Sequence, residues 1–245
     1  MSDSLNEIVA SLHRICAQPY KLKPSYLVHN NITIQRPNHG TAHGARQALL
    51  ALDIVEAIQN NKSSNEALTA FIRTKSDEKY FIVRMQMAAA FQRAGRESEA
   101  SGRDEPELFR AFLERSGEIF LQAAQVHPLP GLLGCPQYEE LEKYATAMHS
   151  EVAEDNREAF FLKIILDSAH YLDLLRLCSE ERCRPIINLL KIDLETYNKL
   201  VCRAKSYLSA TGELKNHHDA DRIVRLYLSQ HDLVRTLLEC RSTCR

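Results

Sequence analysis

The chain has 245 residues, 44% of them hydrophobic, so it can bury a sizeable core and is not expected to be disordered. Its 31 lysines and arginines are balanced by 32 aspartates and glutamates, which excludes a general electrostatic attraction to nucleic acid or to an anionic membrane. No window is apolar enough for a membrane span, and the N-terminus lacks a Sec-type signal, so we expect a soluble protein.

The low glycine content and the spacing of the cysteines limit the possible folds and sites. There are only 8 glycines and no tryptophan, which disfavours a sheet-rich fold with many tight turns. The 7 cysteines are odd in number and do not form the paired CxxC clusters of a zinc module. We expect free thiols, including the terminal pair Cys240 and Cys244, and an all-α fold.

Apolar residues recur at helical spacing along most of the chain. The pattern predicts helices over Leu5–Ile15, Ala48–Ile58, Phe81–Phe91, and about 105–125, 137–149, 156–178, 193–209 and 219–239. Ser63 to Glu66 offers a capping box for a further helix that contains Leu68, Phe71 and Ile72, and Asp77 can cap the run that begins at Phe81. Because no internal repeat or linker is visible, we predict one helical domain over residues 1–245.

Two segments depart from the helical pattern. Residues 25–37 contain the β-branched run Ile32-Thr-Ile34 and end at Pro37, which favours an extended conformation. Residues 126–136 contain a dense cluster of proline and glycine. This second segment is predicted to be a long loop and is a candidate lid.

The sequence Arg36-Pro-Asn-His-Gly-Thr-Ala-His43 follows the extended segment directly. Pro37 and Asn38 can start a helix, which would place His39 and His43 on one face of its first turns. Backbone N–H groups at a helix start favour an anion, and Arg36 adds a permanent positive charge. The motif is therefore compatible with phosphate chemistry, although the spacing of two histidines alone more often reflects a structural role.

Two further polar clusters interrupt apolar helices. Arg93-Ala-Gly-Arg-Glu-Ser-Glu-Ala-Ser-Gly-Arg103 comes directly after the apolar run that ends at Phe91. In the second cluster, His170, Asp173 and Arg176 recur on one face of an otherwise core-like helix. Polar groups on such a face need partners if they are buried. Taken together, the three clusters favour a shared site over three unrelated structural roles.

The three motifs, in this order and spacing, resemble the SidE-family phosphodiesterase domain of bacterial effectors. The resemblance covers roughly residues 24–180, and its first motif is the most specific. It implies a helical domain distantly similar to HD phosphohydrolases. In that family the domain acts on ADP-ribosylated ubiquitin and joins phosphoribosyl-ubiquitin to serines, whereas stand-alone relatives reverse that linkage.

By the same resemblance, the two histidines of the family's catalytic centre fall on His39 and His170. His43 lies one helical turn after His39, and we expect it to support the reaction, so that His43→Ala keeps some activity. The family's glutamate falls on Glu97 or Glu99, with Glu99 favoured. This carboxylate is expected to orient one histidine and to favour its protonated form.

The remaining roles follow from what phosphodiester cleavage requires. His39 is expected to act as nucleophile or base, and His170 as the acid that protonates the leaving oxygen. Arg36 and Arg176 are expected to bind the substrate phosphate, with Arg103 as a weaker candidate. We therefore predict that His39, His170 and at least one of Glu97 and Glu99 line a shared cleft, within hydrogen-bonding distance or one water of it. Arg36 and Arg176 are predicted to face the same cleft.

The HD phosphohydrolases carry an adjacent His-Asp pair that binds metal, but this chain has Phe91-Gln-Arg93 in the corresponding place. Gln92 is a poor ligand and Arg93 repels a cation, so the sequence predicts a metal-independent reaction without a cofactor.

The resemblance also implies partners and a location. It predicts ubiquitin and serine-containing substrate proteins as partners, no nucleic acid, and a secreted bacterial effector that acts in the host cytoplasm. Two other functions stay open at this stage, an HD-type nucleotide phosphohydrolase and a catalytically inactive helical binding module. The direction of the reaction, ligation or removal of ubiquitin, is also open.

Overall fold

The computed structural model describes residues 19–20, 26–29, 32–35, 39–60, 65–97, 105–126 and 129–210. Within these ranges the chain is dominated by nine α-helices, which confirms the helical fold class. The segments that we predicted to be helical near 5–15 and 219–239 lie outside the described residues, as do Cys240 and Cys244.

The helices are numbered here in chain order. They are α1 (Thr41–Asn60), α2 (Glu66–Ser76), α3 (Phe81–Phe91), α4 (Pro106–Ala123), α5 (Leu129–Leu132), α6 (Tyr138–Ala147), α7 (Arg157–Asp173), α8 (Pro185–Leu190) and α9 (Leu194–Ala210). Two 3₁₀ turns, Leu174–Arg176 and Glu180–Cys183, follow α7. The bounds of α3, α4, α6, α7 and α9 lie within about five residues of the predicted segments, because the apolar face that packs in the core also gives each helix its periodic sequence. Helix α1 begins before the predicted Ala48, and α8 lies in no segment that was predicted to be helical.

A small antiparallel hairpin precedes α1. Its strands are β1 (Tyr26–His29) and β2 (Ile32–Gln35), with Tyr26 opposite Gln35 and His29 opposite Ile32. The hairpin falls within the segment predicted to be extended, where β-branched residues favour the strand.

Helix α1 is the central element of the fold. It packs against α3, α7 and α9, and most of its apolar side chains from Ala45 to Ile58 are buried. Its first turns also bury three polar side chains, His43, Arg46 and Gln47. Buried polar groups need hydrogen-bond partners, so the N-terminal end of α1 is where a polar site must form.

The contact between α1 and α3 is unusually close at Gly44. A Cβ atom at this position would lie 2.5 Å from the carbonyl oxygen of Ala90 and 2.7 Å from the hydroxyl of Tyr20. The Tyr20 hydroxyl donates a hydrogen bond of 2.5 Å to the same carbonyl. Glycine at this position therefore lets α3 approach the start of α1, which brings the turn after α3 near the histidine motif.

Two predicted helix caps differ from the structure. Helix α2 is capped by Asn65, whose side chain accepts hydrogen bonds from the backbone of Ala67 and Leu68, so the cap is not Ser63. Asp77 does not cap α3, because it is the C-cap residue of α2 and Tyr80 precedes α3. At the start of α3, Tyr80 makes no side-chain capping hydrogen bond.

The segment predicted to be a loop over 126–136 contains the one-turn helix α5. Gly134 then adopts a φ of 80° and Cys135 a φ of 49°, so the chain reverses after the helix. Four cysteines lie in the part of the chain that the structure describes, Cys135, Cys178, Cys183 and Cys202, and all four are free thiols. Across the described ranges, none of the helices has both the length and the apolar character that a membrane span requires.

Candidate active site

Three histidine rings form one cluster between the start of α1 and the end of α7. The ring centroids of His39 and His43 are 5.2 Å apart, those of His43 and His170 are 5.5 Å apart, and those of His39 and His170 are 6.5 Å apart. His43 is fully buried and His39 is 7% exposed, whereas His170 is partly exposed. The packing of α7 on α1 brings these residues together across a long sequence separation.

The start of α1 differs from the prediction. The helix begins at Thr41, so His39 lies just before it and not on its first turn. His39 is also buried. Because α3 and α7 both pack against this end of α1, little of the His39 ring is left in contact with solvent.

Asp173, the last residue of α7, contacts one histidine of the cluster and two arginines. Its Oδ2 atom is 2.5 Å from Nδ1 of His43 and 2.7 Å from Nε of Arg176. Its Oδ1 atom accepts a hydrogen bond of 2.6 Å from Nε of Arg46. All four side chains are almost completely buried, and Asp173 is the only buried acidic residue in the described part of the chain.

The ionisation of Asp173 follows from these contacts. Burial by itself would raise the pKa of the carboxyl, but Arg46, His43 and Arg176 together hold the pKa well below its ordinary value. The group is therefore a carboxylate at neutral pH, and it accepts hydrogen bonds without donating one.

Burial lowers the pKa of all three histidines. For His39 the charge of Arg96 adds to the effect, and for His170 the charge of Arg93 does so. For His43 burial outweighs the opposing influence of Asp173, and the pKa is about 4. Without a bound ligand the three rings are thus neutral at pH 7, and each keeps one ring nitrogen with a lone pair.

Arg93 and Arg96 lie in the turn that follows α3 and are 3% and 4% exposed. The guanidinium carbon of Arg93 is 5.3 Å from the ring centre of Phe109, and that of Arg96 is 5.7 Å from Phe109 and 5.8 Å from Phe112. Burial lowers the pKa of Arg93 to about 10, so the group stays charged at neutral pH. Two aromatic rings of α4 therefore hold two positive charges whose effect reaches His39 and His170.

The turn that carries these arginines lies directly on the backbone of α4. The N–H of Gly95 donates a hydrogen bond of 2.9 Å to Oγ of Ser116. A Cβ atom on Gly95 would lie 2.5 Å from the carbonyl oxygen of Phe112 and 2.6 Å from the backbone nitrogen of Ser116. Only glycine permits this contact, which fixes where Arg93 and Arg96 can point.

Gln92 lies in the place that corresponds to the metal-binding His-Asp pair of the HD phosphohydrolases. Its buried amide accepts a hydrogen bond of 3.1 Å from Gln47 and donates one of 2.9 Å to Asp167. Lys163 forms an ion pair of 2.8 Å with the same Asp167. Over the ranges that the structure describes, no group of three or more histidine, cysteine, aspartate and glutamate side chains could hold a metal ion.

The structure brings some of the predicted site residues together, but not all of them. His39, His43, His170 and Arg176 come together in one cluster. Glu97 is exposed. The remaining candidates, Arg36, Glu99 and Arg103, lie outside the described residues, so their placement stays a prediction.

Four residues of the site received no role from sequence, Arg46, Arg93, Arg96 and Asp173. A signal existed for Asp173 and Arg46, since Asp173 shares a helical face with His170 and Arg46 lies three residues after His43. Although the polar clusters predicted a shared site, the sequence does not show which side chains of the two helices contact each other.

The sequence profile of the SidE phosphodiesterase (PDE) domain matches residues 19–223, which is most of the chain. The chain belongs to this family. It is therefore a phosphodiesterase-type domain like those of bacterial effectors. No curated protein matches the chain significantly.

Solved structures of lpg1496 from Legionella pneumophila share the fold of this SidE phosphodiesterase domain. The crystal structure at 350 MPa is 20% identical, with a TM-score of 0.60, and 83% of this chain and 79% of that chain are covered. Its C-terminal domain in complex with nucleotide is 18% identical, with a TM-score of 0.57 and the same coverage. The crystal structure at 300 MPa is 16% identical, with a TM-score of 0.57 and coverage of 93% and 95%. At these identities the likeness concerns the fold.

Proposed function

We propose that this SidE phosphodiesterase domain is a metal-independent phosphodiesterase that acts on ADP-ribosylated or phosphoribosyl-linked ubiquitin. The observation that carries the proposal is the cluster of His39, His43 and His170 beside buried arginines, in a chain of this family. Ubiquitin and serine-containing proteins are the proposed partners, and the host cytoplasm is the proposed place of action of a secreted effector.

The electrostatics of the cluster suit a phosphodiester. Arg93, Arg96 and Arg176 all lower the pKa of His39, which means that they make the electrostatic potential at its ring more positive. A phosphodiester carries one negative charge, and further charge develops on its equatorial oxygens in the transition state. Fixed guanidinium groups in a largely buried site stabilise that charge, and they need little reorganisation.

The histidines suit the proton transfers that such a reaction needs. His39 is neutral in the free protein, so a ring nitrogen is available as nucleophile or base. His170 is also neutral, but a bound anion raises the pKa of a nearby imidazole. In the substrate complex His170 can then carry the proton that the leaving oxygen requires.

A direct test uses two substrates separately, serine-linked phosphoribosyl-ubiquitin and ADP-ribosylated ubiquitin. Mass spectrometry of the products distinguishes release of ubiquitin from the serine from release of AMP. Either result supports the proposal and identifies the direction of the reaction. If the folded protein turns over neither substrate, the ubiquitin assignment is wrong.

Metal independence is a separate prediction. The amide of Gln92 is occupied by Gln47 and Asp167, and Arg93 brings a positive charge to the same turn, so the residues present do not suit a divalent cation. We expect activity on the ubiquitin conjugate to be unchanged in excess EDTA. Loss of activity on chelation, with recovery after addition of Mg²⁺, Mn²⁺ or Zn²⁺, would return the chain to HD-type chemistry.

A second candidate is cleavage of free nucleotides, which the nucleotide complex of the lpg1496 domain suggests for this fold. The same mass assay with free ADP-ribose in place of the conjugate tests it. Turnover of free ADP-ribose at a kcat/KM equal to that of the ubiquitin conjugate would favour this candidate, because ubiquitin would then contribute nothing to recognition.

A further inference from the structure

His43 is held at one ring nitrogen and left without a protein partner at the other. Its Nδ1 atom is 2.5 Å from Oδ2 of Asp173, and the side chain is fully buried. Its Nε2 atom is also buried and has no hydrogen-bond partner among the described residues. Because the carboxylate can only accept, the proton of the neutral ring lies on Nδ1 and the lone pair on Nε2.

Asp173 is itself fixed in place. Arg46 donates to Oδ1 at 2.6 Å, and Arg176 donates to Oδ2 at 2.7 Å. A carboxylate held by two buried guanidinium groups cannot rotate away, so it fixes both the tautomer and the ring orientation of His43. Carboxylates that orient a base in this way are a recurring part of acyl- and phosphoryl-transfer sites.

The His43 ring lies against the rings of the two residues proposed to react with the substrate. The rings of His39 and His170 have their centroids 5.2 Å and 5.5 Å from that of His43. A buried acceptor without a protein donor calls for a donor from outside the protein. In a site for phosphodiesters, the donors available are the hydroxyl groups of the substrate and water.

We propose that Nε2 of His43 is the general base for the oxygen nucleophile of the reaction, either water or a serine hydroxyl, and that Asp173 is its positioning residue. This inference rests on the proposed phosphodiesterase function and adds a role to the same site. The motif by itself predicted only a supporting role for His43.

With His43 as base, the chemistry divides into two balanced steps. In the first, a lone pair of His39 forms a bond to phosphorus, the bond from phosphorus to the leaving oxygen breaks, and His170 protonates that oxygen. In the second, the O–H bond of the acceptor breaks and its proton goes to Nε2 of His43. The acceptor oxygen bonds to phosphorus, and the P–N bond returns its electron pair to His39. Asp173 stabilises the imidazolium of His43 that results.

Several charged groups bear on the protonation of His43, and they come from every element around it. These groups are Arg46 on α1, Asp173 and His170 on α7, Arg176 in the following 3₁₀ turn, and His39 before α1. Arg93 and Arg96, in the turn after α3, act on the neighbouring rings of His39 and His170. Of these, Asp173 raises the pKa of His43, whereas Arg46 and Arg176 lower it. Loss of the Asp173 charge must therefore lower the pKa of His43 further.

The first test needs no substrate. Protein labelled with ¹⁵N-histidine is examined by long-range ¹H–¹⁵N NMR at pH 7, and the His43 signals are assigned with the His43→Gln variant. We expect His43 to be neutral, with its proton on Nδ1. A proton on Nε2, or a doubly protonated ring, would overturn the inference whether or not any variant folds.

The second test is kinetic and uses two substrates, the ubiquitin conjugate and bis(4-nitrophenyl) phosphate, a simple phosphodiester. We expect His43→Gln to lower kcat by about 10²-fold or more, and Asp173→Asn by about 10-fold or more, with a smaller change in KM. In Asp173→Asn the acidic limb of the pH–rate profile should move to lower pH, a shift that a purely structural role would not cause. Glu158→Gln is the matched control, because Glu158 lies at the other end of α7 and pairs with Lys75 and Lys143.

The two substrates separate this inference from the proposed function. Cleavage of the simple diester without cleavage of ubiquitin conjugates would reject the ubiquitin assignment and leave the His43–Asp173 pair intact. A folded Asp173→Asn protein with parental kcat and an unchanged acidic limb would reject the pair. If Asp173→Asn does not fold, the NMR measurement of the His43 tautomer in the parental protein tests the inference.

Discussion

At the scale of single residues, His39 and His170 are the side chains expected to react with the substrate. We expect His39→Ala and His170→Ala each to lower kcat by roughly 10²- to 10⁴-fold, which is the usual effect of removing an acid, a base or a nucleophile. Release of ubiquitin from the serine-linked conjugate measures this loss. Because His39 is 7% exposed, its variant needs a check of helix content and melting temperature. A folded His39→Ala protein that turns over conjugate at the parental rate would remove this motif from the reaction.

Arg96 is expected to act on substrate binding. It has the largest effect on the pKa of His39 after burial, and its guanidinium lies against Phe109 and Phe112. A hydrogen bond to a charged group contributes about 1.5–3 kcal/mol, so Arg96→Gln should raise KM roughly 10- to 100-fold. Initial rates over a range of conjugate concentrations measure the change.

Arg84 provides the matched control for Arg96→Gln. It is also a buried arginine, but it donates to the carbonyl of Leu133 and to Glu140, away from the histidines. Arg84→Gln should leave KM unchanged, even if it lowers stability. Equal increases of KM in the two variants would show that the effect is structural and does not come from the charge of Arg96.

At the scale of elements, the position of the arginine turn depends on its contact with α4. Gly95→Ala would place a Cβ atom 2.5 Å from the carbonyl oxygen of Phe112 and 2.6 Å from the nitrogen of Ser116. Because both are backbone atoms, the turn must move, and Arg93 and Arg96 move with it. We expect about a 10-fold or larger loss of kcat/KM together with a lower melting temperature.

Gly131→Ala is the control for this prediction, because a Cβ atom at that position meets nothing within 4 Å. It should have parental activity and at least parental stability, since replacing glycine by alanine restricts the unfolded chain. If Gly95→Ala behaves like Gly131→Ala, the turn does not depend on the α4 contact.

At the scale of the whole molecule, the buried histidine cluster makes stability depend on pH. The pKa of each histidine is lower in the folded protein than the ordinary value of 6.5, so the unfolded chain binds more protons below that pH. Stability should therefore decrease as the pH falls from 6.5 towards the folded-state values. For His43, with a folded-state pKa of about 4, the loss at pH 5 is about 2 kcal/mol.

Urea denaturation at pH 7 and at pH 5 measures this effect. The pKa of Asp173 is also lowered, but its contribution is lost only at still lower pH, so it does not mask the change between pH 7 and pH 5. A free energy of unfolding that is equal or larger at pH 5 would contradict the burial of neutral histidines.

Much of the helical architecture could be predicted from the sequence alone. The run Phe81–Phe91 is the helix α3 with the same bounds, and α4, α6 and α9 agree with their periodic segments within a few residues. This agreement has a physical reason. The apolar stripe that buries a helix has the period of the helix itself, so the local sequence carries the information.

The histidines of the site could also be predicted from the sequence, because polar side chains stand out in helices that are otherwise apolar. Their mutual arrangement was not visible. That Asp173 contacts His43 and Arg46 depends on the crossing of α7 with α1, and that Arg93 and Arg96 are held by Phe109 depends on the docking of Gly95 on α4. The sequence determined which residues could carry charge and protons. Only the tertiary structure decided which of them meet, because contacts between distant segments follow from how the whole set of helices packs.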